Sequence, residues 1–239
     1  GKVVSGEILF EGEDLLSLSA EKLLPIRGGR ISIVFQDPFT SLNPVFRTGN
    51  QIAESLALHR KENLSTYEME KEIIRLLELV RMDKPKDMML SYPHQLSGGM
   101  QQRVMIAIAL SSNPEILIAD EPTTALDVTI QKEILTLLTE LQNKLGLSVI
   151  LITHDFGIVA RTCQRVSVMY AGIIVEEAAT SEIFHNPLHP YTQGLLESLP
   201  SREEAPGSSQ GEKRRLKAIP GQVPDPSNLP SGCKFHPRC

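Results

Sequence analysis

A short apolar run, Ile116-Leu117-Ile118-Ala119, ends in two adjacent carboxylates, Asp120 and Glu121, and then Pro122. Consecutive apolar residues of this length suit a central parallel strand covered on both faces, not a half-exposed one that would alternate. Open α/β sheets place ligands beyond the carboxyl ends of such strands. Asp120 then stands where an acidic group can hold Mg²⁺ through water, and Glu121 where a carboxylate can orient or deprotonate an attacking water. A strand stopped by an acidic turn accounts for Pro122. It does not account for two neighbouring carboxylates.

One helix earlier the chain reads Leu96-Ser97-Gly98-Gly99-Met100-Gln101-Gln102-Arg103. Gly98 and Gly99 lack Cβ, so a phosphate oxygen can approach the backbone. The helix expected from about Gly99 to Ser112 aims free N–H groups and its positive dipole end at that spot. Ser97 is a good N-cap and adds a hydroxyl. A Ser-Gly-Gly turn that merely starts a helix is the plainer reading of these residues alone. Two single polar residues also follow strand-like runs: Gln36 after Ile31–Phe35, and His154 after Val149–Thr153. Taken singly, each reads as an ordinary polar loop residue.

In this order and spacing the residues resemble the signature motif, the Walker B motif and, at Ala125-Leu126-Asp127, the D-loop of the ATP-binding-cassette (ABC) ATPases. Gln36 then resembles the Q-loop glutamine and His154 the switch histidine. Phe35-Gln36-Asp37-Pro38-Phe39-Thr40-Ser41-Leu42-Asn43-Pro44, His189-Pro190-Tyr191-Thr192, and the stretches Ile219-Pro220-Gly221 and Gly232 to Cys239 are similar to the oligopeptide/dipeptide importer branch. That branch also handles nickel and other small solutes. The resemblance implies an α/β fold, a P-loop NTPase-like nucleotide-binding domain with a helical subdomain. It implies ATP and Mg²⁺, with Asp120 and Gln36 toward the metal. Glu121 would be base or water-orienting group, His154 a γ-phosphate sensor, and Gln36 a contact to the attacking water. Ser97, Gly98, Gly99 and Gln101 would meet ATP held by a second ABC subunit, and Asp127 would meet that subunit directly. The expected partners are that second ATPase subunit, transmembrane permease subunits and, indirectly, an extracytoplasmic solute-binding protein. The expected location is the cytoplasmic face of the cell membrane.

No G-x-x-x-x-G-K-[ST] phosphate loop occurs in the 239 residues. Gly1-Lys2 imitates the end of one, but Val3 stands where Ser or Thr is needed. The chain therefore reads as a piece incomplete at its N-terminus, inactive alone, whose full-length form hydrolyses ATP. A lost strand would leave sheet edge and apolar surface open. The rival reading is a non-catalytic partner that supplies only the signature half-site. A DNA-repair ATPase is disfavoured, because no long coiled-coil insertion separates Gln36 from Leu96.

The domain expectation is an ATPase domain over 1–199, with a helical lobe at about 45–95, a linker over 200–218 and the start of a C-terminal region over 219–239. Within it, strands are expected at Gly6–Phe10 and 31–35. Helices are expected near 19–27, Gln51–His59, Thr66–Val80 and Val128–Leu145, the last ended by Gly146, and a hairpin at 165–177. A Lys213-Arg214-Arg215-x-Lys217 cluster in the linker is a weak lipid-headgroup contact. Net charge is −5, so bulk charge gives no sign of nucleic-acid binding. No apolar stretch approaches the ~18 residues of a membrane span. The three cysteines show no paired spacing. Some members of the resembled branch hold an iron–sulfur cluster near the C-terminus. Such a cluster needs about four thiolates, and the tail here has Cys233 and Cys239.

Overall fold

The computed structural model describes residues 3–60, 64–124, 126–199 and 218–239. Gly1-Lys2, Ala125 of the D-loop string and the basic cluster at 213–217 lie outside the described residues, as does the expected linker but for its last residue. The chain divides into two compact units, Gly1–His154 and Asp155–Cys239.

In the first unit, β1 (Leu9–Phe10) and β2 (Glu13–Asp14) form a two-residue-deep hairpin, followed by the short helix α1 (Ala20–Leu23). The strand expected over Gly6–Phe10 is thus cut to its last two residues. The turn at Glu11-Gly12 has both residues at positive φ, and β2 offers only two partners. The parallel sheet consists of β3 (Ile31–Val34), β4 (Ile116–Asp120) and β5 (Ser148–Ile152), in the order β3-β4-β5. Between β3 and β4 lie α2 (Pro38–Ser41), α3 (Thr48–His59), α4 (Thr66–Leu79), α5 (Pro85–Leu90) and α6 (Gly98–Leu110); α7 (Val128–Leu145) joins β4 to β5. The 3.6-residue apolar stripe of α7 buries Ile134, Leu137, Leu138 and Leu141, and Gly146 closes the helix at φ +66°.

One face of the sheet is core. Val34, Leu117 and Ala119 are buried against the helices, each large side chain contributing roughly 1.5–3 kcal/mol. The opposite face is open among the described residues: Ile33 is 41% exposed, Ile150 50% and Ile152 48%. The expectation of a strand run covered on both faces therefore holds on one face only among the described residues.

Helices α3, α4 and α5 form a lobe with its own buried residues, Ile52, Leu56, Ile73, Leu76 and Leu77. A capping box at Ser65 and Glu68 starts α4. Arg60 joins α4 to α6, pairing with Glu72 (2.6 Å) and donating to Ser111 O (2.9 Å). Gly49 of α3 packs so closely on α5 that a Cβ would sit 2.4 Å from Met89 Cγ and 2.7 Å from its carbonyl oxygen. Gly49→Ala should therefore destabilise the lobe by about 1–3 kcal/mol. A lowered urea midpoint checks this, and an unchanged midpoint contradicts it.

The second unit holds α8 (Phe156–Thr162), the hairpin β6 (Arg165–Tyr170) and β7 (Ile173–Ala179), then α9 (Thr180–His185) and α10 (Pro190–Glu197). The hairpin turns at Ala171-Gly172, both at positive φ. The C-terminal tail docks here. Phe235 is buried with Tyr170 (5.2 Å), Tyr191 (5.4 Å) and His189 (5.9 Å). Arg238 donates to Pro220 O, Ile219 O and Tyr170 Oη.

Candidate functional site

The end of β4 and the turn after it carry the site. Asp120 is the last residue of β4, in register with Ile152 of β5. Glu121 then adopts φ +42°, a left-handed conformation that costs a non-glycine residue about 1–3 kcal/mol. The surroundings hold it there. Its N–H donates to Ile152 O (2.9 Å), and its carbonyl accepts from Thr124 N–H (3.2 Å). The next turn is tied to α7 by Gln131 Nε2, which donates to Thr123 Oγ1 (3.1 Å).

The Glu121 carboxylate is a hub. Gln36 Nε2 donates to Oε2 (2.8 Å), and the Thr124 hydroxyl donates to the same oxygen (2.8 Å). His154 Nδ1 lies 3.0 Å from Oε1, and opposite a carboxylate it is the N–H donor. Residues 85 and 33 positions from Glu121 thus converge on one side chain. That side chain is 24% exposed, while His154 is 74% exposed. The Thr124 hydroxyl first, and then the His154 ring, hold the Glu121 carboxyl below the usual carboxylate range. It is therefore ionised at neutral pH, the form a proton acceptor requires.

The metal expectation has a matching donor set. With Gln36 Nε2 turned to Glu121, its side-chain oxygen is the atom left to face a cation. That oxygen and the Asp120 carboxylate are hard donors of the kind Mg²⁺ takes alongside waters and phosphates. No group of three or more His, Cys, Asp and Glu side chains is placed to hold a metal among the described residues. Mg²⁺ does not need one, since it binds by one or two carboxylates and keeps several waters. Cys163, Cys233 and Cys239 are free thiols, with Cys233 Sγ 3.9 Å from His189 Nε2.

The signature residues form a second group, at the start of α6. Ser97 caps the helix by accepting from Met100 N–H (3.3 Å). The amides of Gly98 and Gly99 have no acceptor within the helix. The two glycines differ. A Cβ on Gly98 would meet only Leu126 Cδ2 at 3.4 Å and Phe39 Cζ at 3.5 Å, whereas one on Gly99 would sit 2.5 Å from Ile130 Cγ2 of α7. Gly99 is thus explained by helix packing, and Gly98 is not. Gln101 is expected to meet nucleotide, but the residue is 3% exposed. Its amide donates to Pro93 O (2.8 Å) and Leu96 O (3.2 Å), bracing the turn that carries Ser97. Asp127 caps α7, accepting from Thr129 and Ile130 N–H (3.1 Å each).

Sequence reasoning missed Thr124. The available signal was its position three residues after Glu121, a spacing that a tight turn folds back on itself.

A protein-family model described as "ABC transporter" matches residues 2–124. A second, "Oligopeptide/dipeptide transporter, C-terminal region", matches residues 175–239. The oligopeptide transport ATP-binding protein AppD of Bacillus subtilis (strain 168) is 50% identical over 239 residues, spanning all of this chain and 70% of its own length. The oligopeptide transport ATP-binding protein OppD of the same organism is 53% identical over 230 residues, covering 96% of this chain and 62% of its own. Among solved structures, the dimeric post-hydrolysis state of the ATP-binding cassette MJ0796 bound to ADP and Pi superposes with a TM-score of 0.66 at 30% identity, over 74% of each chain. CbiO1 from Clostridium perfringens, part of the ABC transporter complex cbiONQ, gives 0.65 at 32% identity, over 77% of this chain and 69% of its own.

Proposed function

We propose that this chain, which belongs to the ABC transporter family of ATP-binding proteins, binds and hydrolyses ATP to drive oligopeptide import through a membrane permease. The observation that carries the chemical reading is the convergence of Gln36, Thr124 and His154 on the Glu121 carboxylate. The peptide reading rests on the relatives' names and on the match to the importer-type C-terminal region.

In this reading Glu121 accepts the proton of the water that attacks the γ-phosphorus. His154 keeps Nδ1–H on Glu121 and turns its exposed Nε2 side toward a phosphate oxygen. Asp120 and the Gln36 oxygen would hold Mg²⁺, which when bound neutralises charge on the phosphates. Ser97 and the Gly98 amide serve ATP on a second subunit. The MJ0796 cassette is itself dimeric, and Gly98 has room for a Cβ within its own chain. The exposed Val45, Phe46 and Leu90 rim the lobe where Thr48 N–H meets Ser91 O, and give the permease an apolar seat. No helix among the described residues is long and apolar enough to cross a membrane. We place the subunit at the cytoplasmic face, held by that contact.

The test is uptake into proteoliposomes holding the assembled transporter and its solute-binding protein, with ATP inside. A radiolabelled oligopeptide should accumulate only with ATP, and radiolabelled nickel should not. Nickel uptake without peptide uptake would overturn the substrate assignment.

A further inference from the structure

We infer that Thr124 is a positioning residue for ATP hydrolysis, fixing which oxygen of Glu121 takes the proton. The inference rests on the reading of Glu121 as the base. Oε2 accepts two hydrogen bonds, from the Thr124 hydroxyl and Gln36 Nε2 at 2.8 Å each, which fill its in-plane lone pairs. Oε1 accepts one, from His154, and keeps one lone pair. The water proton therefore goes to Oε1, on the side where His154 stands.

Gln36 and His154 come from other segments of the chain and also have phosphate- and metal-side duties in the proposed mechanism. Thr124 has none. It holds Glu121 at both ends of the same residue: its N–H bonds the Glu121 carbonyl and its hydroxyl bonds the carboxylate. This double contact keeps the carboxylate in place while the left-handed backbone at φ +42° would otherwise favour escape. Should Gln36 or His154 turn away toward nucleotide, Thr124 alone still fixes the rotation of the carboxylate about its last bond. Thr124 acts through Glu121.

The experiment is a double-mutant cycle on the full-length subunit assembled in its transporter. Thr124→Val removes the hydroxyl and keeps the shape; Thr124→Ser keeps the hydroxyl. Thr124 is exposed, so neither change removes packing. Thr124→Val should lower kcat roughly tenfold or more, the scale of a misplaced catalytic group, with KM for ATP unchanged. Thr124→Ser should retain wild-type kcat. In a Glu121→Gln background Thr124→Val should add nothing. Equal loss in Thr124→Val and Thr124→Ser would overturn the inference, as would a raised KM at unchanged kcat, or a full further loss on top of Glu121→Gln. If Glu121→Gln stops turnover while Thr124→Val leaves kcat intact, Thr124 alone is refuted. If Glu121→Gln itself turns over normally, the base assignment falls and this inference with it.

Discussion

Gly98→Asp should abolish ATP-driven dimer closure and transport while leaving the subunit folded and still able to bind nucleotide. Within its own chain Gly98 has room. The added Cβ would lie at ordinary contact distances from Leu126 and Phe39, unlike one at Gly99, which would meet Ile130 Cγ2 at 2.5 Å. An acidic residue in the first turn of α6 also suits the helix dipole. The melting temperature should therefore change little. The cost falls where the partner's ATP would lie. There a carboxylate replaces bare backbone beside the γ-phosphate, and two like charges about 4 Å apart repel by about 4 kcal/mol at an effective dielectric of 20, close to a thousandfold. Nucleotide affinity of the isolated full-length subunit and ATP-dependent dimerisation, measured side by side, separate the effects. Loss of monomer affinity with dimerisation intact would overturn the trans-acting role of Ser97 and Gly98.

Much of this was legible in the residues because the signals were local. The apolar stripe of α7, the glycine that ends it and the apolar run of β4 are periodicities, and the structure reproduces α7 over Val128–Leu145. The Ser97 cap was equally readable, since capping depends on neighbouring residues alone. What the residues did not show was tertiary. The two signature glycines look alike in sequence, yet only Gly99 is crowded by α7. Gln101 reads as a surface amide, but it is buried and braces the turn before the helix. The run Ile116–Ala119 implied cover on both faces of the sheet, and among the described residues one face is open. Thr124 went unnoticed because its role depends on the left-handed turn at Glu121, which no pattern announces. The partners of Glu121 distant in sequence come from residues 36 and 154, so only family spacing, not periodicity, could bring them together on the page.

Glu121→Gln carries the second large expectation, and it bears on the central claim that this carboxylate is the base. The amide keeps the shape of the side chain and can still accept at its oxygen. It has lost the proton acceptor and offers an N–H to donors that now face it. Hydrolysis should fall by about 10²–10⁴-fold, the usual contribution of a general base, while ATP binding persists because no phosphate-binding group is altered. The closed dimer should therefore accumulate with ATP inside. The most direct measurement follows phosphate release and retained nucleotide together, in full-length subunits given Mg²⁺ and labelled ATP and then passed over a sizing column. The account predicts that Glu121→Gln elutes as a dimer carrying intact ATP, with almost no phosphate released, where wild type releases phosphate and returns to monomer. Phosphate release by the variant at near the wild-type rate would contradict it.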